Sequence, residues 1–184
     1  MSAKNMLFSG FGGQGILFAG KFIAYKGLIE EKQVSWLPSY GPEMRGGTAS
    51  CSVIVSDTPV GSPIVSNPDI LVAMNLPSLD RFESKVKPGG MIFADSTLIE
   101  RKVERDDVKV FYIPATQMAS DEKLGNLANM IIVGKLLKET GDYTDDGIRA
   151  ALDKVISAKR ANMKDVNFKA IEMGAEFGKR SASC

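Results

Sequence analysis

The chain contains no histidine, and only two cysteines in 184 residues. Without imidazole, a His-ligated zinc site and a Ser–His–Asp triad are both excluded. An iron–sulfur cluster takes about four thiolates. Cys51, inside an apolar run, and Cys184, at the last position, belong to no CxxC pair and cannot supply them. They offer no disulfide framework either, which suits a reducing compartment. Long hydrophobic runs are missing too. The first five residues, Met1 to Asn5, lead straight into a short apolar stretch, with no signal-peptide core and no span of about 20 apolar residues. A cytoplasmic chain with no membrane association is expected. An excess of one charge is also lacking: 23 Lys and Arg against 22 Asp and Glu leave a net charge of +1, mixed along the chain. Nucleic acid is therefore not an expected partner.

What remains is an ordinary globular balance, 44% hydrophobic and 24% charged, far from the signature of disorder. No repeat, low-complexity tract or linker divides the chain, so residues 1–184 are expected to form a single domain. Residues 5–9 read as a short buried strand, and residues 16–29 carry apolar side chains at helical spacing around Phe18, Phe22, Ile23 and Leu28. Residues 34–37 read as the second strand, after which Pro38 and Pro42 forbid regular pairing and Gly46-Gly47 punctuate a long loop. Residues 50–55 and 108–113 read as further strands. The continuous apolar runs at 70–74 and 91–94 are of the kind that parallel strands show when covered on both faces, with a short helix over 78–86 between them. Helical spacing returns over 124–137, 148–156 and 168–177, in helices expected on the sheet edge or on a partner. The alternation predicts a Rossmann-like α/β fold, a doubly wound, mostly parallel sheet with flanking helices.

Two loops carry the chemical interest. Gly10, Gly12 and Gly15 satisfy GxGxxG within Gly10-Phe11-Gly12-Gly13-Gln14-Gly15, placed after a strand and before a helix, as that motif requires. Glycines permit a tight turn and close backbone approach, and the free N–H groups of a helix N-terminus favour a phosphate or carboxylate. Dinucleotide binding would ask for an acid at the tip of the second strand. That strand ends instead in Trp36-Leu37-Pro38. The second loop, residues 39–47, mixes Tyr40, Gly41, Glu43, Arg45 and Gly46, and Arg45 offers a fork of donors to a phosphate or carboxylate. Its plain alternative is a surface pair between Arg45 and Glu43. If both loops leave the carboxyl ends of their strands, they share one crevice.

Residues 10–17, together with the run Val34-Ser35-Trp36-Leu37-Pro38-Ser39-Tyr40-Gly41-Pro42-Glu43-Met44-Arg45-Gly46-Gly47, resemble the gamma subunit of 2-oxoacid:ferredoxin oxidoreductases. The similarity continues through residues 48–57, Pro68-Asp69, Asn75, Gly89-Gly90 and residues 126–137. The resemblance implies a thiamine diphosphate- and Mg-dependent complex of alpha, beta and, in many cases, delta subunits. Such a complex decarboxylates a 2-oxoacid oxidatively, transfers the acyl group to coenzyme A, and passes electrons through iron–sulfur clusters to ferredoxin or a similar acceptor. It further implies that the gamma subunit itself holds neither thiamine diphosphate nor clusters. That agrees with the missing ligands.

On this reading the substrate is 2-oxoglutarate, with pyruvate or a branched-chain oxoacid next, and the chain is inactive alone. Gly10, Gly12, Gly13, Gln14 and Gly15, with Tyr40, Gly41, Glu43, Arg45 and Gly46, are expected to line a coenzyme A or active-site entrance. No catalytic residue and no metal ligand is expected on this chain. An isolated homodimer is expected, joined through Trp36, Leu37, Met44 and the Met118 region. Two other readings stay open: a freestanding Rossmann-type binder of NAD or FAD, and a gamma-type chain serving an aryl oxoacid such as indolepyruvate.

Overall fold

A computed structural model describes residues 3–39 and 48–178. Strand β1 (Lys4–Phe11) leads through the glycine loop into helix α1 (Ile16–Ile29), followed by β2 (Gln33–Ser39) and β3 (Thr48–Ser56). Then come β4 (Ile70–Ala73), α2 (Leu76–Phe82), β5 (Met91–Asp95) and β6 (Lys109–Ile113). Four α-helices follow among the described residues: α3 (Ala115–Asp121), α4 (Ala128–Thr140), α5 (Asp145–Val155) and α6 (Asn162–Glu176). The six strands form one sheet in the order β2-β3-β1-β4-β5-β6. Only β3 runs against the others, antiparallel to both β2 and β1, while β1, β4, β5 and β6 pair in parallel.

Strand periodicity assigns the two faces. Met6, Phe8, Ile70, Val72 and Phe93 point into the larger core with α1, α3, α4, α5 and α6. Leu7, Leu71, Ala73, Ile92 and Ala94 alternate with them and pack on the second face against Leu79 and Phe82 of α2 and against Ile99. All four residues of β4 are buried, as a doubly covered parallel strand requires. Helices α4 and α6 cross backbone to backbone: a Cβ on Gly134 would lie 1.8 Å from the Ile171 carbonyl oxygen, and one on Gly174 would lie 1.7 Å from that of Ile131.

Three details differ from the sequence-based expectation. Pro38 is inside β2, opposite Cys51, because β2 is the sheet edge and a missing N–H costs nothing on its unpaired side. The C-terminal helices cover a sheet face rather than its edge. The helix expected over 124–137 starts at Ala128, since Lys123 and Gly125 take positive φ (54° and 60°) after the short α3.

Candidate functional site

β1 hands the chain to α1 on the first face, whereas its parallel neighbour β4 leads to α2 on the second. Chains leaving adjacent strands towards opposite faces open a crevice beyond the strand ends, where open α/β sheets bind ligands. A cavity of about 170 Å³ lies there, its wall including Gly13, Gln14, Met74, Leu98, Thr116 and Asn126.

The glycine loop is shaped from both sides. Gly13 and Gly15 adopt φ of 94° and 72°, a region that favours glycine. A Cβ on Gly15 would also meet Asn129 Nδ2 at 2.4 Å, and one on Gly10 would meet Gln14 Oε1 at 2.6 Å and Met74 Cβ at 2.9 Å. A Cβ on Gly12 would meet nothing within 4 Å, so the fold itself leaves that position free. Gln14 fastens the loop: its Oε1 accepts from the Phe11 N–H at 2.7 Å, and its Nε2 donates to the Met74 carbonyl at 3.0 Å. Asn129 of α4 holds the other end, donating through Nδ2 to the Gly15 carbonyl at 2.9 Å. Helix α1 then starts with Gly15 as its N-cap, with no side-chain cap and no acid in its first turn. Its leading N–H groups are left without a side-chain cap, and the positive end of its dipole lies there.

Further polar groups gather at the strand ends. Asn75 caps α2 by accepting the Ser78 N–H on Oδ1 at 2.9 Å. Its Nδ2, the Ser78 hydroxyl and the Oδ1 of Asn129 are buried with no hydrogen-bond partner among the described residues. Asp95, fully buried at the end of β5, accepts from the N–H groups of Thr97 (3.0 Å) and Thr116 (3.2 Å) and from the Thr116 hydroxyl (2.5 Å). These bonds fasten the start of α3 to the end of β5. Burial pushes the Cys51 thiol up to about 12, against the opposing hydrogen bond with Trp36, so it is no ready nucleophile. Among the described residues no group of three or more acids or cysteines gathers to hold a metal.

The sequence matches the family described as "Pyruvate ferredoxin/flavodoxin oxidoreductase" over residues 5–177. The chain belongs to this family. Ketoisovalerate oxidoreductase subunit VorA of Methanothermobacter marburgensis is 37% identical over 175 residues, which make up 94% of this chain but 36% of that protein. The chain thus spans about a third of that relative's length. The gamma subunit of a keto/oxoacid ferredoxin oxidoreductase from Geobacter sulfurreducens PCA superposes with a TM-score of 0.78 at 27% identity, covering 94% of this chain and 96% of the other. A 2-oxoglutarate:ferredoxin oxidoreductase from Magnetococcus marinus, described with 2-oxoglutarate, coenzyme A and succinyl-CoA bound, shares the fold. Its TM-score is 0.86 at 22% identity, covering all of this chain and 32% of that one.

Of the glycine loop, Gly13 and Gln14 line the crevice, while Gly10, Gly12 and Gly15 flank them in the same loop. Tyr40, Gly41, Glu43, Arg45 and Gly46 lie outside the described residues. The strands flanking them are placed, however: Ser39 ends β2 opposite Ser50, and Thr48 opens β3 opposite Phe11, beside the glycine loop. Sequence reasoning missed Met74, Asn75, Asp95, Thr116 and Asn129 as site elements. Asn75 did carry a signal, an Asx residue before Pro77 at a helix start. Asn129, a lone amide in an apolar helix, carried a weaker one. The dinucleotide reading loses ground, because the strand beside β1 is the antiparallel β3 and β2 is displaced to the edge.

Proposed function

We propose that this chain is the gamma-type subunit of a thiamine diphosphate-dependent complex that oxidatively decarboxylates a 2-oxoacid, first among them 2-oxoglutarate, to its acyl-CoA, with ferredoxin or a similar acceptor. In this reading it completes the assembly and is inactive alone. A chain with no histidine and two cysteines, one of them Cys51 with its raised thiol, does not fit as host for the clusters. In this reading the clusters, thiamine diphosphate and Mg belong to alpha, beta and delta partners.

The observation that carries the reading is the uncapped start of α1, held between Gln14 and Asn129 beside the switch-point crevice. It suits an anionic group of coenzyme A, and Arg45 is proposed to join it. The shared fold with a 2-oxoglutarate oxidoreductase described with coenzyme A bound supports this choice. The partner-facing surface is proposed to include Phe11, Leu37 and Leu76, which stay 40%, 39% and 39% exposed around the second face. Trp36, at 36% exposure, lies across β2 from them. The isolated chain is proposed to dimerise through the same apolar groups. Met118 instead packs half-buried against the larger core, and Met44 lies outside the described residues.

The test is to isolate the tagged chain from its native host and identify its partners by mass spectrometry. 2-Oxoacid- and coenzyme A-dependent acceptor reduction should appear only with those partners present. Turnover by the chain alone with thiamine diphosphate, Mg and coenzyme A would overturn the reading, as would micromolar binding of NAD or FAD.

A further inference from the structure

A second cavity, of about 120 Å³, lies at the opposite end of the sheet beside the start of β1 and the end of β3. From Lys4 to Phe11 the strand rises about 23 Å, so the cavity is well separated from the crevice. Met6, Ile23, Val55, Leu136 and Leu137 supply an apolar lining. Three ion pairs surround it: Lys26 with Glu30, Lys4 with Asp142 at 2.5 Å, and Lys32 with Asp57. Three cations balance three carboxylates, so the cavity is electrically neutral.

The three pairs are not equivalent. In the Lys4 and Lys32 pairs every side chain is more than a third exposed or close to it, and such pairs exchange partners at little cost. Lys26 is 2% exposed. An ammonium carries three N–H donors. Among the described residues Glu30 is the only acceptor for Lys26, which leaves donor capacity at the wall of an apolar cavity. A second acceptor offered to that ammonium would therefore be favourable.

We propose that this cavity is a binding site for a small, uncharged, largely apolar molecule bearing one carbonyl oxygen. The oxygen accepts from Lys26 Nζ, and a branched alkyl group packs on Ile23, Val55, Leu136 and Leu137. An apolar cavity of about 150 Å³ holds benzene, so this one, of about 120 Å³, takes a molecule of about five to six non-hydrogen atoms. An anion would set a second negative charge beside Glu30 on one ammonium, and a cation would face Lys26 itself. At Lys26 a neutral acceptor is therefore favoured, and it leaves the Lys4 and Lys32 pairs intact, whereas a charged ligand would have to break one of them. The site is independent of the coenzyme A reading, since it shares no residue with the crevice.

The test uses isobutyramide, with isobutyrate as an anionic analogue of the same size and isobutylamine as a cationic one smaller by the carbonyl oxygen, titrated into the full chain and followed by methyl NMR. Isobutyramide should bind saturably at about millimolar concentration, the scale for so few atoms, with shifts centred on Ile23, Val55, Leu136 and Leu137. Both charged analogues should bind at least about tenfold more weakly. Lys26→Met should weaken isobutyramide about tenfold. Val55→Phe, which fills the cavity while keeping Lys26, should abolish its binding. Absence of saturable shifts, shifts at the glycine loop instead, unchanged affinity in Val55→Phe, or isobutyrate binding as tightly as the amide would overturn the proposal.

Discussion

The Asn129 side-chain amide donates to the carbonyl oxygen of Gly15 at 2.9 Å, linking α4 to the first turn of α1 across 114 residues of sequence. The same amide leaves its Oδ1 buried without a partner among the described residues. These two facts oppose each other energetically. A lost neutral hydrogen bond costs about 1 kcal/mol, and removing an unsatisfied buried acceptor returns a similar amount. Asn129→Leu should therefore change stability by no more than about 1 kcal/mol. Asn129→Asp sets an acceptor against the Gly15 carbonyl and should cost about 2 kcal/mol or more at neutral pH, with partial recovery on acidification as the carboxyl protonates. Urea unfolding of both variants at neutral and mildly acidic pH checks the pair. Equal losses at both pH values would mean that the bond does not have this role.

The glycine loop yields a contrast between positions that the motif treats alike. Gly15 combines φ of 72° with a Cβ position 2.4 Å from Asn129, whereas a Cβ on Gly12 would meet nothing within 4 Å. Gly15→Ala should destabilise the isolated chain by about 1–3 kcal/mol. Gly12→Ala should stay within about 0.5 kcal/mol of the parent. Thermal unfolding of the two variants side by side is the measurement, and equal effects would contradict the loop geometry.

How much of this was legible in the sequence depends on the range of the interaction. The strand–glycine–helix unit reads directly from residues 5–29, because one local pattern sets both the turn and the helix face. The runs at 70–74 and 91–94 announce buried parallel strands for the same reason. The reversed direction of β3 does not read, since an apolar strand carries no mark of its neighbour's orientation. Nor do Asn129 on Gly15 and Asp95 on Thr116, whose partners lie 114 and 21 residues away. The break at Lys123 and Gly125 was masked by Leu124 and Leu127, which continue the helical spacing through it.

The crossing of α4 and α6 depends on two glycines. A methyl group at Gly174 would enter within 1.7 Å of the Ile131 carbonyl oxygen, and one at Gly134 within 1.8 Å of that of Ile171. Both opposing atoms are backbone, so the helices must separate to accept it. Gly134→Ala and Gly174→Ala should each cost about 3 kcal/mol, despite the better helix propensity of alanine. Denaturant unfolding reads this, and a gain in stability for either variant would contradict the close crossing.

Acid sensitivity should draw in part on Asp69. Burial resists its charge, but hydrogen bonds from Lys87 at 2.7 Å and from the backbone and side chain of Asn5 at 2.9 and 2.8 Å outweigh it, holding its carboxyl below the ordinary 3.8. A carboxyl lowered in the folded state stabilises above the unfolded value, and that contribution is lost as pH falls through the folded one. Asp69→Asn should therefore be less stable than the parent at neutral pH and lose less on acidification below about pH 4. Urea midpoints across that range decide it. An acid limb as steep as the parent's would show that Asp69 makes no such contribution.

The central claim, that the glycine loop receives an anionic group of coenzyme A in the assembled complex, is tested most directly by the coenzyme A dependence of acceptor reduction. The complex would be reconstituted with Gly12→Ala and, separately, with Arg45→Lys, and its assembly verified by gel filtration. Gly12 has no packing duty, so a methyl group there acts mainly on what approaches the backbone. Lysine cannot reproduce a bidentate fork. The account predicts intact assembly with the coenzyme A KM raised about tenfold or more and the KM for the 2-oxoacid little changed. Parental coenzyme A kinetics in both assembled variants would contradict it.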